Sequence, residues 1–317
     1  MPRIYEKCLD EAKIVMYHYV RPIKNSEFSD LKGLEITQFQ NQIAFFRQNF
    51  HFADIDFFFN SLKLKKHERN SSIFLTFDDG LKEHYTHVFP ILKSEKIQGL
   101  FFPPAKPIEE NIVLDVHKIH FILALVNDKK MLVNDVLQQI HNFRKDWDIE
   151  EPEKLWKRLA IPSRFDTGEV IFLKRILQRE LPKRVRESIT RELFDRYVTR
   201  DETDFAKKLY LSLDEIKEMR ESGMYFSSHG YSHEWLSYLD PENLDEEIKK
   251  SWDFCKKINP DGEQIMCYPY GNYNSNVIEK ISEYNFKAGL TTEVGDAILN
   301  HENAFKLKRY DTNDFPQ

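Results

Sequence analysis

The segment SIFLTFDDG constrains the fold of this chain more than any other, because a strand-length apolar run ends in two adjacent carboxylates. Residues 73–77 are almost continuously apolar, which is typical of a parallel strand buried on both faces. Asp78 and Asp79 follow at its end, where polar residues of barrel and doubly wound α/β folds face the catalytic mouth. Asp-Asp-Gly is also ordinary turn chemistry, so the motif alone is compatible with a turn or an active site.

Two histidines four residues apart follow a second strand-like run. The segment MYFSSHGYSH, residues 224–233, contains His229 and His233. Residues at i and i+4 share a helix face, and the same spacing in a strand-to-helix turn also brings two rings together. Two unrelated surface histidines are the alternative in a chain that contains 11 of them. Joined to a strand-end carboxylate, the pair indicates a metal site, because two imidazoles and one carboxylate form a metal-ligand set.

Three motifs of the chain resemble those of the polysaccharide deacetylases of the NodB-homology type, also called carbohydrate esterase family 4. TFDDG at residues 76–80 is similar to the first family motif, and HGYSH at 229–233 is similar to the second. CYPYG at 267–271 resembles the Tyr-Pro-x-Gly variant of the third motif. The opening VMYHYV, residues 15–20, looks like a branch of the family that begins with a Tyr-His strand. On these motifs, the chain is identified as a member of that branch.

The resemblance covers roughly residues 12–106 and 212–312 and implies an α/β fold, the family's irregular (β/α)₇ barrel. Strand-like runs that alternate with amphipathic helical patterns agree with a parallel α/β architecture. The segment between the two parts is charged, poor in glycine and helical in its apolar spacing, and about a hundred residues is too long for a loop. We therefore predict a barrel in two parts, residues 1–110 and 212–317, with a mainly helical insertion at residues 111–211.

Carried over to matching positions, the resemblance implies that Asp78 is the general base. It assigns a divalent metal ion to Asp79, His229 and His233. An ion with three protein ligands keeps positions open for water and for a substrate carbonyl oxygen. The resemblance also implies that the backbone N–H of Tyr270 stabilises the developing oxyanion. Zn²⁺ is the default ion, and two histidines with one carboxylate also suit Co²⁺, Ni²⁺ or Fe²⁺.

Two catalytic positions of the family have no direct match. The usual third motif carries an arginine that orients the base, whereas this chain has Met266 to Tyr268 there. We predict that Arg309, in the segment KLKRYD, replaces it. The usual fifth motif supplies a histidine as general acid, but His301 lies in a polar turn that is typical of a surface. His18 follows an apolar strand and is the predicted general acid, with a hydrogen-bonded core histidine as the alternative interpretation.

Three further residues lie beside these motifs in the sequence. Tyr231 is inside the second motif, and Tyr268 and Pro269 are inside the third. We predict that their side chains contact the substrate.

Composition and charge limit the classes of function. A formal net charge of -6 argues against nonspecific attraction to nucleic acid. The basic run KRVRESITRELFDR, residues 183–196, offers a peripheral contact to phosphate or anionic lipid, but its interleaved acids favour a solvated helix face. No stretch approaches the roughly 20 apolar residues of a transmembrane span. A soluble enzyme that acts on a small molecule or a glycan fits these features best.

The first residues and the cysteines predict the location of the protein. Residues 1–10 are polar, so no signal peptide is predicted. Cys8, Cys255 and Cys267 are an odd number at spacings that suit neither a disulfide framework nor a cysteine metal site. We therefore predict a cytoplasmic protein that acts on an intracellular precursor.

The motifs predict a metal-dependent hydrolase that removes an N-acyl group, in the first place acetyl, from an amino sugar. The substrate would be an acylated amino sugar, a sugar nucleotide or a lipid-linked glycan precursor. One alternative is a deformylase of a lipid-linked amino sugar or a hydrolase of a nonsugar amide, because the same groups serve any carbonyl that fits. The other is a noncatalytic carbohydrate-binding module, which the missing motif arginine and histidine favour. Asp78 favours an enzyme, because metal binding alone does not require it.

Overall fold

Short parallel strands form the framework of the first of two units in this chain. The computed structural model describes residues 11–63, 71–163 and 166–317. Its strands are β1 (Glu11–Tyr17), β2 (His51–Phe52), β3 (Ser72–Asp78), β4 (Gly99–Phe102), β5 (Tyr225–Phe226), β6 (Gln264–Cys267), β7 (Phe286–Leu290), β8 (Ala297–Ile298) and β9 (Tyr310–Asp311). All of them belong to the unit that comprises the described residues within 11–21, 33–111 and 207–317.

The strands form an irregular ring. β1, β3, β4 and β5 pair in parallel in that order, and β6 pairs in parallel with β7. A parallel bridge between Ser228 and Met266 joins the end of β5 to β6, and one between Leu290 and Leu307 joins β7 to the segment that leads into β9. β9 pairs in parallel with β1 and closes the ring, while β8 lies antiparallel to β1. The predicted α/β barrel is therefore confirmed.

The two faces of β3 are buried in two different apolar cores. On the outer face, the ring of Phe77 stacks on Tyr17 of β1 and on Phe101 of β4, with centroid distances of 5.1 and 4.8 Å. On the inner face, Phe74 joins side chains from β1, β4, β5, β6 and β7 that fill the barrel. Because side chains alternate along a strand, Asp78 shares the inner face with Phe74. Its carboxylate therefore enters the barrel at the carboxyl ends of the strands, the edge that we call the mouth.

Helices make up most of the other residues that the structure describes. They are α1 (Ile36–Asn49), α2 (Ile55–Lys63), α3 (Phe89–Glu95), α4 (Ala105–Glu110), α5 (Asp115–Leu125), α6 (Lys129–Phe143), α7 (Pro152–Leu159), α8 (Gly168–Arg175), α9 (Lys183–Tyr197), α10 (Glu202–Leu209), α11 (Leu213–Glu221), α12 (Pro241–Ile258) and α13 (Ser275–Glu283). A π-helical turn, His84–Val88, leads into α3, and another, Ile176–Glu180, follows α8. None of the helices described is both long and apolar enough to cross a membrane.

The second unit is helical and comprises residues 22–32 and 112–206. It contains α5 to α9, which lie within the residues where the sequence predicts a mainly helical insertion. The division predicted from the sequence assigns residues 22–32 to the barrel, but in the structure they pack in this helical unit. In this segment the ring of Phe28 packs edge-on against Phe121 and Phe205 at centroid distances of 4.7 and 6.2 Å.

Candidate metal centre and catalytic site

Asp78 and Asp79 lie at the mouth, where β3 ends. They are only 1% and 5% exposed. Asp79 has a φ of 71° and Gly80 a φ of 61°, a left-handed backbone conformation that is costly for aspartate. At Gly80, a β-carbon would lie 2.6 Å from the β-carbon of Pro103, so glycine is required there. This tight turn allows two neighbouring carboxylates to meet different partners.

Asp79, His229 and His233 form a buried cluster of possible metal ligands. Oδ1 of Asp79 lies 3.5 Å from Nε2 of each histidine, and the two Nε2 atoms are 3.2 Å apart. In a tetrahedral site, metal–ligand bonds of about 2.1 Å place the ligand atoms about 3.4 Å from one another. The three atoms therefore have the spacing of ligands on one face of a tetrahedral metal site. The structure thus brings together the three residues that were predicted as the metal set.

A hydrogen bond to the backbone selects the tautomer of His229. Its Nδ1 lies 2.7 Å from the carbonyl oxygen of Cys267. A carbonyl oxygen only accepts hydrogen bonds, so Nδ1 carries the proton and is the donor. The lone pair of Nε2 is then available to bind a metal ion in the cluster. Burial lowers the pKa of His229 although Asp78 and Asp79 oppose this effect, and so favours the neutral ring that binds metal. The donor chemistry therefore fits a divalent cation.

A buried carboxylate braces the loop between the two histidines. Oε1 of Glu247, on α12, accepts hydrogen bonds from the backbone N–H groups of Tyr231 and Ser232 at 2.8 and 2.7 Å. Its Oε2 accepts a third from the Ser232 hydroxyl at 2.6 Å. The loop needs such support, because Gly230 and His233 have positive φ values of 77° and 59°. Glu247 therefore helps to fix the position of the second histidine.

A buried guanidinium contacts the other carboxylate. Nη1 of Arg309 donates a hydrogen bond of 2.9 Å to Oδ1 of Asp78, and Nη2 forms an ion pair with Oδ2 at 2.9 Å. Nη1 also lies 3.2 Å from Oγ1 of Thr76, and Nε donates a hydrogen bond of 2.8 Å to the carbonyl of Thr291. Arg309 is 1% exposed. The residue predicted to orient the base is thus in direct contact with it.

Asp78 remains ionised in this environment. Burial raises its pKa, but the charge of Arg309, with smaller effects from His229 and His18, outweighs burial and lowers the pKa to about 2. The Cys267 thiol lies 3.4 Å from Oδ1 of Asp78. Burial raises the pKa of this thiol, so it stays protonated and donates a hydrogen bond to the carboxylate. Arg309 thus supplies a permanent positive charge from the protein that keeps Asp78 ionised.

His18 lies at the edge of the same site. Its Nε2 is 3.8 Å from Oδ2 of Asp78, and its side chain is 39% exposed. Nε2 of the buried His84 lies 2.8 Å from the backbone carbonyl of His18 and donates to it. Burial lowers the pKa of His84 to about 4, so its neutral ring is a fixed donor that holds the His18 backbone. This exposure does not agree with the alternative interpretation of His18 as a core histidine.

Tyr270 lies at the mouth in the turn Pro269–Gly271, directly after β6. Its φ is 57°, another left-handed residue within the candidate site. Its ring packs against that of His233, with a centroid distance of 4.6 Å. A β-carbon at Gly271 would lie 2.1 Å from Oγ1 of Thr292, so close packing allows only glycine there. The turn therefore places Tyr270 beside the metal cluster.

Tyr268 does not lie where the sequence analysis placed it. It is fully buried in an apolar core, its hydroxyl donates to the carbonyl of Phe305 at 3.1 Å, and its ring stacks on Tyr273 at 4.9 Å. Strand alternation explains the error, since Cys267 faces the barrel interior and its neighbour must face the other side. Tyr268 is therefore a core residue and not a substrate contact.

The other two predicted substrate residues lie on the loops of the mouth. Pro269 is buried beside Gly230, where a β-carbon would come within 3.2 Å of its Cγ. Tyr231 is partly buried, and its hydroxyl donates to Glu110 at 2.7 Å. Burial, assisted by Glu110, raises the pKa of the Tyr231 hydroxyl, which keeps it protonated. Both residues pack the loop that carries the histidines.

Sequence reasoning missed the residues that support the site from outside the motifs. Thr291 and Glu247 belong to no motif, and their contacts depend on segments that meet only in the folded chain. For Glu247 a signal was present: it lies between Leu244 and Ile248 on the apolar face of α12. A charged residue on a buried helix face usually has a specific partner. For Thr291 we find no such signal.

The family model described as "Polysaccharide deacetylase" matches residues 65–145 and 190–289, more than half of the chain. The chain belongs to the polysaccharide deacetylase family. The resemblance stated from the motifs is therefore confirmed. In this polysaccharide deacetylase family member, the matched residues include all three motifs, whereas His18 and Arg309 lie outside them.

Individual relatives agree with the family. YxkH of Bacillus subtilis (strain 168), whose name describes a polysaccharide deacetylase, is 29% identical over 90 residues, 28% of this chain and 32% of that protein. The match thus spans about a third of the curated relative. Among solved structures, the Streptococcus pyogenes deacetylase PplD in complex with acetate has a TM-score of 0.59 at 17% identity and covers 96% of this chain and 92% of its own. IcaB from Ammonifex degensii has a TM-score of 0.54 at 17% identity, with 95% and 91% covered. At 17% identity, the similarity to these two structures supports the fold of this chain and not its activity.

Proposed function

We propose that this protein is a metal-dependent hydrolase that removes an N-acetyl group from an amino sugar of a glycan precursor. The observation that carries the proposal is that two neighbouring carboxylates have different partners at one mouth. Asp79 lies in a cluster with ligand spacing, and Asp78 is ionised against Arg309. Metal-dependent hydrolysis of an amide uses this combination, because the cation activates water and a carboxylate takes the proton of that water.

The cluster of Asp79, His229 and His233 would hold the cation, with Zn²⁺ as the first choice and Co²⁺, Ni²⁺ and Fe²⁺ as ions of similar ligand preference. When bound, a divalent cation lowers the pKa of a water molecule and polarises a carbonyl oxygen. The spacing of the three donor atoms and the tautomer of His229 support this assignment.

Asp78 takes a proton from water as the new carbon–oxygen bond forms at the amide carbonyl. With a pKa of about 2, its carboxylate is ready to accept that proton at neutral pH. The two contacts from Arg309 fix the direction of the carboxylate. The backbone N–H of Tyr270 donates to the carbonyl oxygen as negative charge develops there.

His18 donates the proton that the nitrogen needs when the carbon–nitrogen bond breaks. The products are acetate and the free amine of the sugar. Its Nε2 lies 3.8 Å from Asp78, so the base and the acid can act on the same bound amide. The His18 side chain is 39% exposed, so solvent can reach it between turnovers.

One of the two arguments for a noncatalytic carbohydrate-binding module no longer holds. That alternative was favoured by the absence of the third-motif arginine, but Arg309 makes the contact with Asp78 that such an arginine is expected to make. Deformylation, or hydrolysis of a nonsugar amide, would use the same protein groups. A panel of substrates is therefore needed to separate these reactions.

We also propose a cytoplasmic location, with a sugar nucleotide or a lipid-linked glycan precursor as the substrate. The thiols of Cys255 and Cys267 support a reducing compartment, since both are free and buried. Cell fractionation followed by immunodetection tests the location. We expect the protein in the cytoplasmic fraction, and its recovery from the culture medium would contradict this proposal.

The activity is tested by measuring acetate release from N-acetylated sugar nucleotides, N-acetylglucosamine and chitooligosaccharides. We expect release by the wild-type protein with Zn²⁺, loss of release after treatment with a chelator, and recovery when metal is added back. Asp78→Asn should release acetate about 10³-fold more slowly, whereas Asp253→Asn, a change at an exposed carboxylate on α12, should match the wild type. Absence of release across the panel, with metal bound stoichiometrically, would contradict the proposed N-acetyl amino sugar substrate.

A further inference from the structure

Two polar side chains of α12, one helical turn apart, contact the segment that carries the two histidines of the metal cluster. The first is Glu247, which accepts hydrogen bonds from the backbone of Tyr231 and Ser232. The second is Ser251, whose hydroxyl forms a hydrogen bond with the hydroxyl of Ser228. Ser251 and Ser228 are each 1% exposed. Their hydroxyls are thus paired inside the protein and not with solvent.

Ser228 directly precedes the loop from His229 to His233, which we call the histidine loop. The backbone of Ser228 is fixed on β6 from both sides. Its N–H donates to the carbonyl of Ile265 at 3.2 Å, and its carbonyl accepts from the N–H of Cys267 at 2.8 Å. The Ser228 hydroxyl therefore has a defined position at the start of the histidine loop.

This hydroxyl also connects the backbone on the two sides of His229. Its oxygen accepts a hydrogen bond of 3.0 Å from the N–H of Gly230, which follows the histidine. Gly230 has a φ of 77°, and glycine has more backbone freedom than any other residue. The hydrogen bond restricts that freedom at the one position between His229 and the residues that Glu247 holds.

We propose that Ser228 and Ser251 are positioning residues for the metal cluster, and that their paired hydroxyls fix the backbone of His229 and raise the affinity of the cluster for a divalent cation. Ser251 acts through Ser228, and Ser228 acts through the backbone of His229 and Gly230. A ligand that is held in place before the cation arrives loses less conformational entropy on binding. The proposal rests on the proposed function, because it assumes that the cluster binds a cation.

The alternative is that the two hydroxyls only satisfy each other where α12 packs on the barrel. In that case their loss would lower the free energy of unfolding, as the loss of other buried hydrogen bonds does, without changing the affinity for metal. A positioning role predicts a change of affinity. It also predicts a change at the Gly230 N–H in a variant of Ser251, because Ser251 influences that group through Ser228.

The first measurement is the Zn²⁺ affinity of the full chain, by competition with a chromophoric chelator. We expect Ser228→Ala to lower the affinity about tenfold, as for other changes behind a metal ligand. Ser251→Ala should lower it about threefold, which corresponds to the loss of one neutral hydrogen bond. The double variant should match Ser228→Ala, because residues that act as one unit are not additive. Ser61→Ala is the matched control, since Ser61 is a buried serine on α2, away from the residues of the candidate site.

The second measurement is hydrogen exchange of the Gly230 N–H, followed by NMR in the metal-free protein. Exchange should be faster in Ser228→Ala and in Ser251→Ala than in the wild type, and unchanged in Ser61→Ala. Urea denaturation of each variant gives the free energy of unfolding, so that a general loss of stability is recognised. Either serine variant carries the test if the other fails to fold.

Unchanged Zn²⁺ affinity in both serine variants, or an equal loss in Ser61→Ala, would overturn the positioning role. Unchanged exchange of the Gly230 N–H in Ser251→Ala would overturn the part assigned to α12. Neither measurement needs a substrate, so a wild type that binds Zn²⁺ but releases no acetate would contradict the proposed hydrolase alone. A wild type that binds no Zn²⁺ would overturn both proposals.

Discussion

Asp78 and Asp79 are adjacent in the sequence, yet the two sides of the site are built in opposite ways. On the base side, Asp78 meets Arg309, a residue 231 positions away, within the barrel. On the ligand side, Asp79 meets two histidines that are held by a loop with a left-handed backbone. The difference teaches that burial alone does not decide the role of a carboxylate. The partner decides it, because a guanidinium satisfies the charge of Asp78 within the protein, whereas two imidazole rings at ligand spacing leave Asp79 available to a cation.

The strongest test of this comparison exchanges each carboxylate for its amide. Asp78→Asn and Asp79→Asn should each reduce kcat/KM by about 10³-fold, since a general base or a metal ligand is lost. Only Asp79→Asn should also lose the metal, because Asp78 is already paired with Arg309. Metal content after dialysis, measured by mass spectrometry, separates the two variants. Loss of metal by Asp78→Asn as well would show that the two sides form one ligand set.

A smaller effect on kcat/KM is expected when Asp78 loses its positively charged partner, Arg309. Arg309→Met should lower kcat/KM about a hundredfold at pH 7, as for other residues that orient a catalytic group. Without the guanidinium, burial raises the pKa of Asp78, so the carboxylate is protonated over a wider pH range. Activity should therefore recover as the pH is raised in the variant but not in the wild type. A pH profile of kcat/KM from pH 5 to 9 provides the measurement.

Two controls accompany this measurement. Arg309→Met leaves a buried carboxylate unpaired, a change that costs about 3–5 kcal/mol, so its folding is checked by circular dichroism. Arg309→Lys keeps a positive charge without the fork and should shift the profile less. Metal content should stay stoichiometric in both variants, and an unshifted profile in Arg309→Met would refute the role of this residue in keeping Asp78 ionised.

The smallest effect is expected for Glu247, which supports the loop that carries the two histidines. Glu247→Gln retains one acceptor oxygen but loses the charge that receives three hydrogen bonds from the histidine loop. We expect metal affinity to fall about tenfold, as for second-sphere changes elsewhere, with activity recovered in excess metal. Glu246→Gln is the matched control, because Glu246 is adjacent on α12 and exposed. Competition with a chromophoric chelator measures the affinities, and equal values for the two variants would show that Glu247 does not support the metal site.

Much of the fold and of the candidate site was predictable because local sequence patterns encode them. The apolar run before Asp78 predicted a buried parallel strand, and every residue of β3 is buried. The four-residue spacing of His229 and His233 predicted two rings that converge, which the loop achieves although it is not a helix. The proposed roles of these residues stay predictions, since their positions alone do not establish catalysis.

Other parts were not predictable from local patterns. Tyr268 was misplaced because a motif fixes which residues are adjacent in the chain, whereas strand alternation decides which side chain faces the substrate.

The sequence by itself determined the family, the barrel and the residues that can bind a metal, since strand patterns and short motifs depend on neighbours in the chain. Only the tertiary structure decided how the two carboxylates differ. The difference depends on electrostatic and hydrogen-bond partners, which act through space over a few ångströms. Arg309 and Glu247 are such partners, and they reach the site from segments remote in sequence.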